Sequence, residues 1–491
     1  MTRNQKRAVR KISLAALLWV AVPLLARAQS KGNNAVYSGT SSVTGSSAYI
    51  DATAYANTST TICATLYNIM SSTSPAYPTP GAVIDARGLN SSNSNLTCAT
   101  NTSPWTLSPG TEYISKPARI LLPAGKIVIS YPWVIPDYTK IVGAGASTSS
   151  GAAGATTIQA ASSFNGGLGG PMIQMGGQLT ITVSGNPETV GCAVCFEISM
   201  TDLTLDGQSQ NIDGVDNSNA EELSTLQRVA ILNTEGNGVL LSTVASGPSN
   251  GTASHSGPYQ DLYISAGTSA SSGTTCVKVY NAQPRGIHGL TCSAGSTTAP
   301  HAGIYLDGGN VSLENLTISG FADGVLIGSE TPLMNANGLQ DIYADVLSNV
   351  TGSTNMTNLV HICNPSSVNG NCTSTGFTGT EDIAMASLTG GSSINTIRDD
   401  LTGSIVTDTI VALYDLGEPV QASGSNVASS YSRFTTSPST PVPTWLVGTA
   451  VNPTNGSCST VDNGSLYSRG ISGGSGSTLW GCVSGKWIVI K

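Results

Sequence analysis

Thr201-Asp202-Leu203-Thr204-Leu205 returns as Gln227-Arg228-Val229-Ala230-Ile231, as Gln260-Asp261-Leu262-Tyr263-Ile264 and as His288-Gly289-Leu290-Thr291-Cys292. It continues as Glu314-Asn315-Leu316-Thr317-Ile318, Gln340-Asp341-Ile342-Tyr343-Ala344, Glu381-Asp382-Ile383-Ala384-Met385 and, in weaker form, Asp408-Thr409-Ile410-Val411-Ala412. The aliphatic anchors Leu203, Val229, Leu262, Leu290, Leu316 and Ile342 are spaced 26, 33, 28, 26 and 26. A repeat of this length built from short alternating segments predicts a solenoid, because one repeat cannot bury its own apolar face and must stack on its neighbours.

Between these copies lies a second phrase: Gly238-Val239-Leu240-Leu241, Cys276-Val277-Lys278-Val279, Gly303-Ile304-Tyr305-Leu306 and Gly324-Val325-Leu326-Ile327. Each repeat therefore holds at least two strands, with Leu203 and Leu205 on one face and Thr204 on the other. No helical period fits between the strands. The expectation is an all-β, right-handed parallel β-helix with coils stacked about 4.8 Å apart. Narrow interior columns favour Val, Ile and Leu over rings, which suits 39% hydrophobic but only 5% aromatic residues.

The first residues read as an export signal. Arg3, Lys6, Arg7, Arg10 and Lys11 precede the apolar run Leu14 to Leu25, and Ala26-Arg27-Ala28 forms a cleavage site before Gln29. That run is too short for a membrane span, and no later stretch reaches the length one needs. Loss of residues 1–28 would remove six basic and no acidic side chains, taking the formal charge from −8 to −14. An exported chain so acidic is unsuited to nucleic acid or anionic membranes. Residues 29–60 read as a flexible lead-in, 61–435 as the β-helix, 436–450 as a Pro/Thr-rich linker and 451–491 as a small disulfide-linked C-terminal β-module. Ten cysteines in such a chain suggest disulfides. Neighbour arguments favour Cys63–Cys98, Cys276–Cys292, Cys363–Cys372 and Cys458–Cys482. Cys192-Ala193-Val194-Cys195 is left as a structural disulfide or a pair of buried thiols.

Ala118-Arg119-Ile120-Leu121-Leu122-Pro123-Ala124-Gly125-Lys126-Ile127-Val128-Ile129, followed by Lys140-Ile141-Val142-Gly143-Ala144-Gly145 and Thr156-Thr157-Ile158-Gln159-Ala160, resembles the early coils of the pectin-lyase-like superfamily. The resemblance extends over roughly residues 80–415. It implies an exported bacterial protein that binds or cleaves an extracellular polysaccharide, as a lyase (with Ca²⁺) or as a glycoside hydrolase. Because that superfamily also holds tailspikes and adhesins, the alternative is a non-enzymatic structural or adhesive surface protein, with the C-terminal module attaching the rod or joining it into a homo-oligomer. Past residue 420 the repeat fades. The unit running from Gly456-Ser457-Cys458 to Leu479-Trp480-Gly481-Cys482 and Lys486-Trp487-Ile488 resembles small C-terminal β-modules of tail-fibre and exported surface proteins.

Polysaccharide cleavage on such a scaffold calls for opposed carboxylates on an outer sheet. Asp206, Asp213, Asp216, Glu221 and Glu222 lie within 17 positions. In the repeat frame Asp216 matches Leu240, Lys278, Tyr305 and Leu326 and faces outward. Asn217 falls in the inward column of Leu241, Val279, Leu306 and Ile327, where a polar residue needs partners. We take Asp213, Asp216 and Asp206 as the candidate catalytic carboxylates, with Asn217, Tyr263 and Tyr305 as substrate contacts; the competing reading is a solvated turn with an Asn ladder. Asp202, Arg228 and Asp261 share a column and read as a salt ladder. Gly286-Ile287-His288-Gly289 is similar to the Gly-His-Gly of polygalacturonases, but it carries an extra Ile, has no adjacent Asp pair before it and no Arg-x-Lys after it. The four histidines lack zinc-site spacing.

Overall fold

The computed structural model describes residues 49–71, 81–107, 113–164, 170–183, 186–242, 256–271, 273–282, 284–295, 301–309, 311–328, 345–352 and 356–362. Beyond these it describes strands 364–365, 372–373, 383–389, 395–399, 411–413, 421–422, 433–434, 444–445, 466–470, 477–483 and 486–490. Two long sheets, one of 13 strands and one of 10, are parallel throughout, and the chain visits them in turn. Thus Ser199–Gln210, Thr225–Thr234, Tyr259–Ala266, Ile287–Ala294 and Ser312–Ser319 are neighbours in the first sheet. Asp213–Asn217, Asn237–Ser242, Thr275–Ala282, Ala302–Gly309, Asp323–Ile327 and Asn358–Ile362 are neighbours in the second. This is the parallel β-helix expected from the two phrases.

Neither sheet keeps strict alternation, and each departure has a physical cause. In the first sheet Asp202, Arg228, Asp261, Asn315 and Asn349 stand in the left-handed region, with φ of 58°, 51°, 53°, 58° and 53°, and Gly289 joins them at 72°. Asn, Asp and Gly tolerate this conformation best. The residues on either side remain in register, Thr201 with Gln227 and Leu203 with Val229. The kink puts inward side chains three and then two positions apart: Met200, Leu203 and Leu205 are buried together, as are Leu226, Val229 and Ile231. Gly289 is therefore the kink glycine of its coil, and His288 beside it pairs through Nδ1 with Glu314 at 3.2 Å.

In the second sheet the departure is a glycine column. A Cβ on Gly214 would lie 2.5 Å from Ile231 Cγ2, one on Gly238 2.5 Å from Ile264 Cγ2, and one on Gly303 2.6 Å from Ile318 Cγ2. Residue 214 thus faces inward, as does the fully buried Val215 after it. Two successive inward positions leave the residues on either side, Asp213 and Asp216, on the outer face. Where the column holds Cys276 instead of glycine, the opposing position holds Cys292, and a disulfide joins the two sheets through the core.

The described residues meet some of the expectations and shift others. The strand register begins earlier than residue 61: Tyr49–Asp51 pairs in parallel with Ala82–Asp85, and Ile50 is buried. Helix Ile62–Met70, capped by Thr61 on Ala64 N, inserts Ile62, Leu66, Ile69 and Met70 into the core and is tied down by Cys63–Cys98. The strand after Ser312–Ser319 is Asp345–Gly352, with Leu316 against Val350, so Ile342 is not the anchor of that coil. In the next coil Leu388, not Ile383, meets Val350. Cys192 and Cys195 form a disulfide. Thr444–Trp445, within the expected linker, pairs antiparallel with Arg433–Phe434. Leu466–Gly470, Ser477–Val483 and Lys486–Ile490 form a separate three-stranded antiparallel sheet. The signal residues Ala28 and Gln29 lie outside the described residues, as do Cys363 and Cys458, one member of each expected pair Cys363–Cys372 and Cys458–Cys482. No helix among the described residues is long and apolar enough to cross a membrane.

Because the sheets meet at the glycine column, Gly214→Ala should lower stability by about 1–3 kcal/mol, the range for overpacking a core. Gly295→Ala, whose Cβ would meet nothing within 4 Å, should change it by less than about 0.5 kcal/mol. Thermal melts of the two variants against the wild-type chain test the contrast.

Candidate functional site

The outer face of the second sheet carries two columns of side chains, one from each side of the inward pair. The first runs Pro171, Asp213, Asn237, Thr275, Ala302, Asp323, Asn358; the second runs Gln174, Asp216, Leu240, Lys278, Tyr305, Leu326, His361. Asp213 and Asp216 are therefore a pair on one strand, three residues apart and facing the same way.

Their surroundings differ. Asp213 is buried, and its Oδ1 accepts from Asn237 N at 2.5 Å and from Asn237 Nδ2 at 3.1 Å. Thr275 Oγ1 donates to Asn237 Oδ1 at 2.8 Å and so fixes the amide that holds the carboxylate. Burial pushes the Asp213 carboxyl up, against the Asn237 donors and the charge of Lys278. Asp216 has fewer donors. Its Oδ1 is buried without a hydrogen-bond partner. Burial and the neighbouring Asp213 charge push Asp216 up to about 6, opposed only by a bond from Ser218. A carboxyl that stays protonated near pH 6, beside another held by fixed donors, is the asymmetry that acid–base chemistry needs.

Lys278 lies in the Asp216 column, with Nζ 5.0 Å from the ring centre of Tyr305 and 5.6 Å from that of Tyr280. The two rings hold the ammonium over the face by cation–π attraction. On the Asp216 side, hairpin Gly177–Val183/Asn186–Cys192 leaves the solenoid just after Gln174 and pairs only with itself. Its base is fastened by Cys192–Cys195 and by Asn219 Nδ2 on Ala193 O at 3.0 Å.

Not every expected residue gathers here. Asp206 lies in the first sheet and is wholly buried. It accepts from Ser150 Oγ, from Gln159 Nε2 at 2.8 Å, from Gln208 N at 3.1 Å and Nε2 at 2.6 Å, and from Asn233 Nδ2 at 2.9 Å. Burial alone would raise its carboxyl, but these donors outweigh that and hold it below its ordinary value. Asp206 is thus a fastening for the 144–151 turn and the neighbouring coils, with no lone pair to spare for a substrate. Asn217 is equally occupied. Fully buried, it donates to Ala220 O at 3.0 Å and to Tyr259 Oη at 2.8 Å, and accepts from Ala220 N at 2.8 Å. It supplies the partners that a polar residue in an apolar column requires, and it cannot touch a ligand. Tyr263 is half-buried in the first sheet between Ala230 and Thr291, away from the Asp213–Asp216 face. Tyr305 is on that face, three strands from Asp216. Arg228 grips Asp202 with two bonds, 2.6 and 2.7 Å, at an exposed site where such pairs contribute little.

Sequence reasoning passed over a second cluster on the same face. Asp323 Oδ1 accepts from Asn358 Nδ2 at 2.6 Å, while its Oδ2 lies 2.9 Å from His361 Nδ1 and 3.2 Å from His301 Nε2. The repeat columns hold the signal: Asp323 stands where Asp213 stands in its own coil, and His361 where Asp216 does. Among the described residues no group of three or more His, Cys, Asp or Glu is arranged to hold a metal ion.

No family model matches the chain. No curated protein matches it either. Among solved structures it is similar to the ORF18 protein of Geobacillus virus E2, at 11% identity and TM-score 0.34 over 90% of this chain and 76% of that one. It is also similar to the A-module of the mannuronan C-5 epimerase AlgE4 of Azotobacter vinelandii, at 14% identity and TM-score 0.29 over 63% of this chain and 88% of that one. The parallel β-helix itself rests on the strand pairing described above.

A raised Asp216 predicts how stability depends on pH. Between its ordinary 3.8 and its folded value near 6, the folded chain binds more protons than the unfolded chain. Stability therefore falls as pH rises through this window, by at most about 3 kcal/mol. Asp216→Asn removes that cost. It should melt above the wild type at pH 7–8, with the difference shrinking towards zero as pH drops from 6 to 4.

Proposed function

We propose that this is an exported protein that binds and cleaves an extracellular polysaccharide on the outer face of its second sheet, by acid–base chemistry at Asp216 and Asp213. One observation carries the reading: two outward carboxyls sit on one strand in unequal environments, the less supported of them pushed up to about 6. Asp216 is the group that holds a proton to give to a departing sugar oxygen. Asp213, kept in place by Asn237 and Thr275, is the carboxylate that remains charged or receives a proton from the attacking group. Lys278 supplies positive charge along the same face, and Tyr305 and Tyr280 offer ring surface to a sugar. The two side-chain columns on this face run along the stacking direction, so an extended polymer laid along them would meet one outward pair per coil. Ca²⁺, which a lyase of this kind would use, belongs to the reading only as a variable of the assay.

The alternative, a structural or adhesive surface protein, draws on the separate antiparallel sheet at the C-terminal end, a unit suited to attachment or self-association.

The test is a screen of polyuronides and neutral polysaccharides, with and without Ca²⁺, read by unsaturated-product absorbance and by reducing ends. Asp216→Asn and Asp213→Asn should each lower product formation at least about 100-fold, the low end for loss of a general acid or base, with the far-ultraviolet circular dichroism unchanged. Glycan binding by the wild-type chain without turnover on any polymer would instead select the adhesive reading.

A further inference from the structure

His301, Asp323 and His361 meet on three consecutive strands of the second sheet or their entries. The Asp323 side chain is only 2% exposed and that of His361 5%, whereas that of His301 is 18% exposed. Both imidazoles address one oxygen, Oδ2, while Asn358 occupies the other. A buried carboxylate between two rings fixes how each ring carries its proton. A nitrogen lone pair turned towards a carboxylate oxygen repels it, so the hydrogen belongs on the nitrogen that faces Asp323. For His301 that nitrogen is Nε2, buried 3.2 Å from Oδ2 in a charge contact and making no aligned hydrogen bond. The lone pair of neutral His301 is therefore on Nδ1, at the other side of the ring.

Position along the sheet separates this cluster from the acid pair. Asp213, Asn237, Thr275 and Ala302 are successive rungs, so His301 lies roughly 14 Å from Asp213 at about 4.8 Å per rung. Opposed groups that act on one glycosidic bond stand within about 10 Å of each other. His301 cannot work on the bond served by Asp216. Leu240 and Lys278 stand on the two rungs between, and Tyr305 is on the rung of His301 itself.

We infer that His301, positioned by Asp323 and His361, is a second ligand-binding site on this face, accepting a hydrogen bond at Nδ1 from a hydroxyl of a saccharide unit distant from the acid pair. This rests on the polysaccharide reading above. The charged and titratable groups around His301 among the described residues are Asp323 on the following strand, His361 on the next, Tyr305 on its own strand and Lys278 on the preceding one. Burial holds His301 below its ordinary value, against the pull of Asp323, so it is neutral at pH 7 and accepts. Once protonated, both ring nitrogens are donors and the acceptor is gone. Binding of a neutral oligosaccharide through this site therefore weakens as acid protonates His301.

The experiment follows ¹⁵N-labelled imidazoles by NMR in the full chain while a neutral oligosaccharide that binds the wild type is titrated at pH 5 and pH 7.5. The expected result is an Nε2–H tautomer for His301 at pH 7.5, a shift of its Nδ1 resonance on titration, and affinity about fivefold weaker at pH 5. His301→Gln should lose about fivefold at pH 7.5 and show no further loss at pH 5. Asp323→Asn, a conservative change, should release the tautomer preference. An Nδ1–H tautomer overturns the inference. So does binding that leaves the His301 nitrogens unmoved, while the acid-pair reading survives. Absence of binding to any glycan at either pH overturns both readings, whatever the tautomer.

Discussion

The solenoid depends on how closely its two long sheets approach at one corner. Gly214, Gly238 and Gly303 leave so little room that a single Cβ would sit about a bond length inside its neighbour's van der Waals surface, against Ile231, Ile264 and Ile318. Close packing of this kind is what turns a stack of weak coils into one core, since each coil alone has too little interior to bury. The same constraint shapes the outside. By forcing two adjacent residues inward, the corner places the residues before and after them on one outer face. The acid pair and the histidine cluster are two occupants of one backbone arrangement, repeated down the sheet.

Much of this was legible in the sequence because the second phrase keeps its frame. Gly238-Val239-Leu240-Leu241 and its copies align in space as they align in sequence, so Asp216 fell correctly among Leu240, Lys278 and Tyr305. What period-two reasoning misses is the pair of consecutive inward positions. Strict alternation would have put Asp213 and Asp216 on opposite faces. In the first sheet the left-handed residue at 202, 228, 261, 289, 315 and 349 has the same effect, and it explains why polar residues and glycine share that column.

The two misplaced site residues share one cause. Asp206 and Asn217 are acidic or polar residues near the candidate site, and the sequence does not say how many donors will surround them. Asp206 turned out saturated because Gln159 and Asn233 come from other coils and Ser150 from a turn. The anchor placed at Ile342 failed for a different reason. An insertion shifts the coil, and Ser348-Asn349-Val350 fills the place with less resemblance to the phrase but a better fit to the kink. Helix Ile62–Met70 escaped notice because a nine-residue segment outside the repeat offers no periodic signal of its own. Its apolar face instead extends the core beside the first strands.

The bridge between Cys276 and Cys292 replaces a contact that other coils make between glycine and isoleucine. In a linear array that opens coil by coil, each step outward from an end costs only the interface with the next coil. A covalent rung through the interior interrupts that sequence, because the two sheets cannot part at that level while the sulfurs are joined. Fraying from either side would stop there. The rung lies between the coil of the acid pair and the coil of the histidine cluster, so loosening of one centre is not passed on to the other.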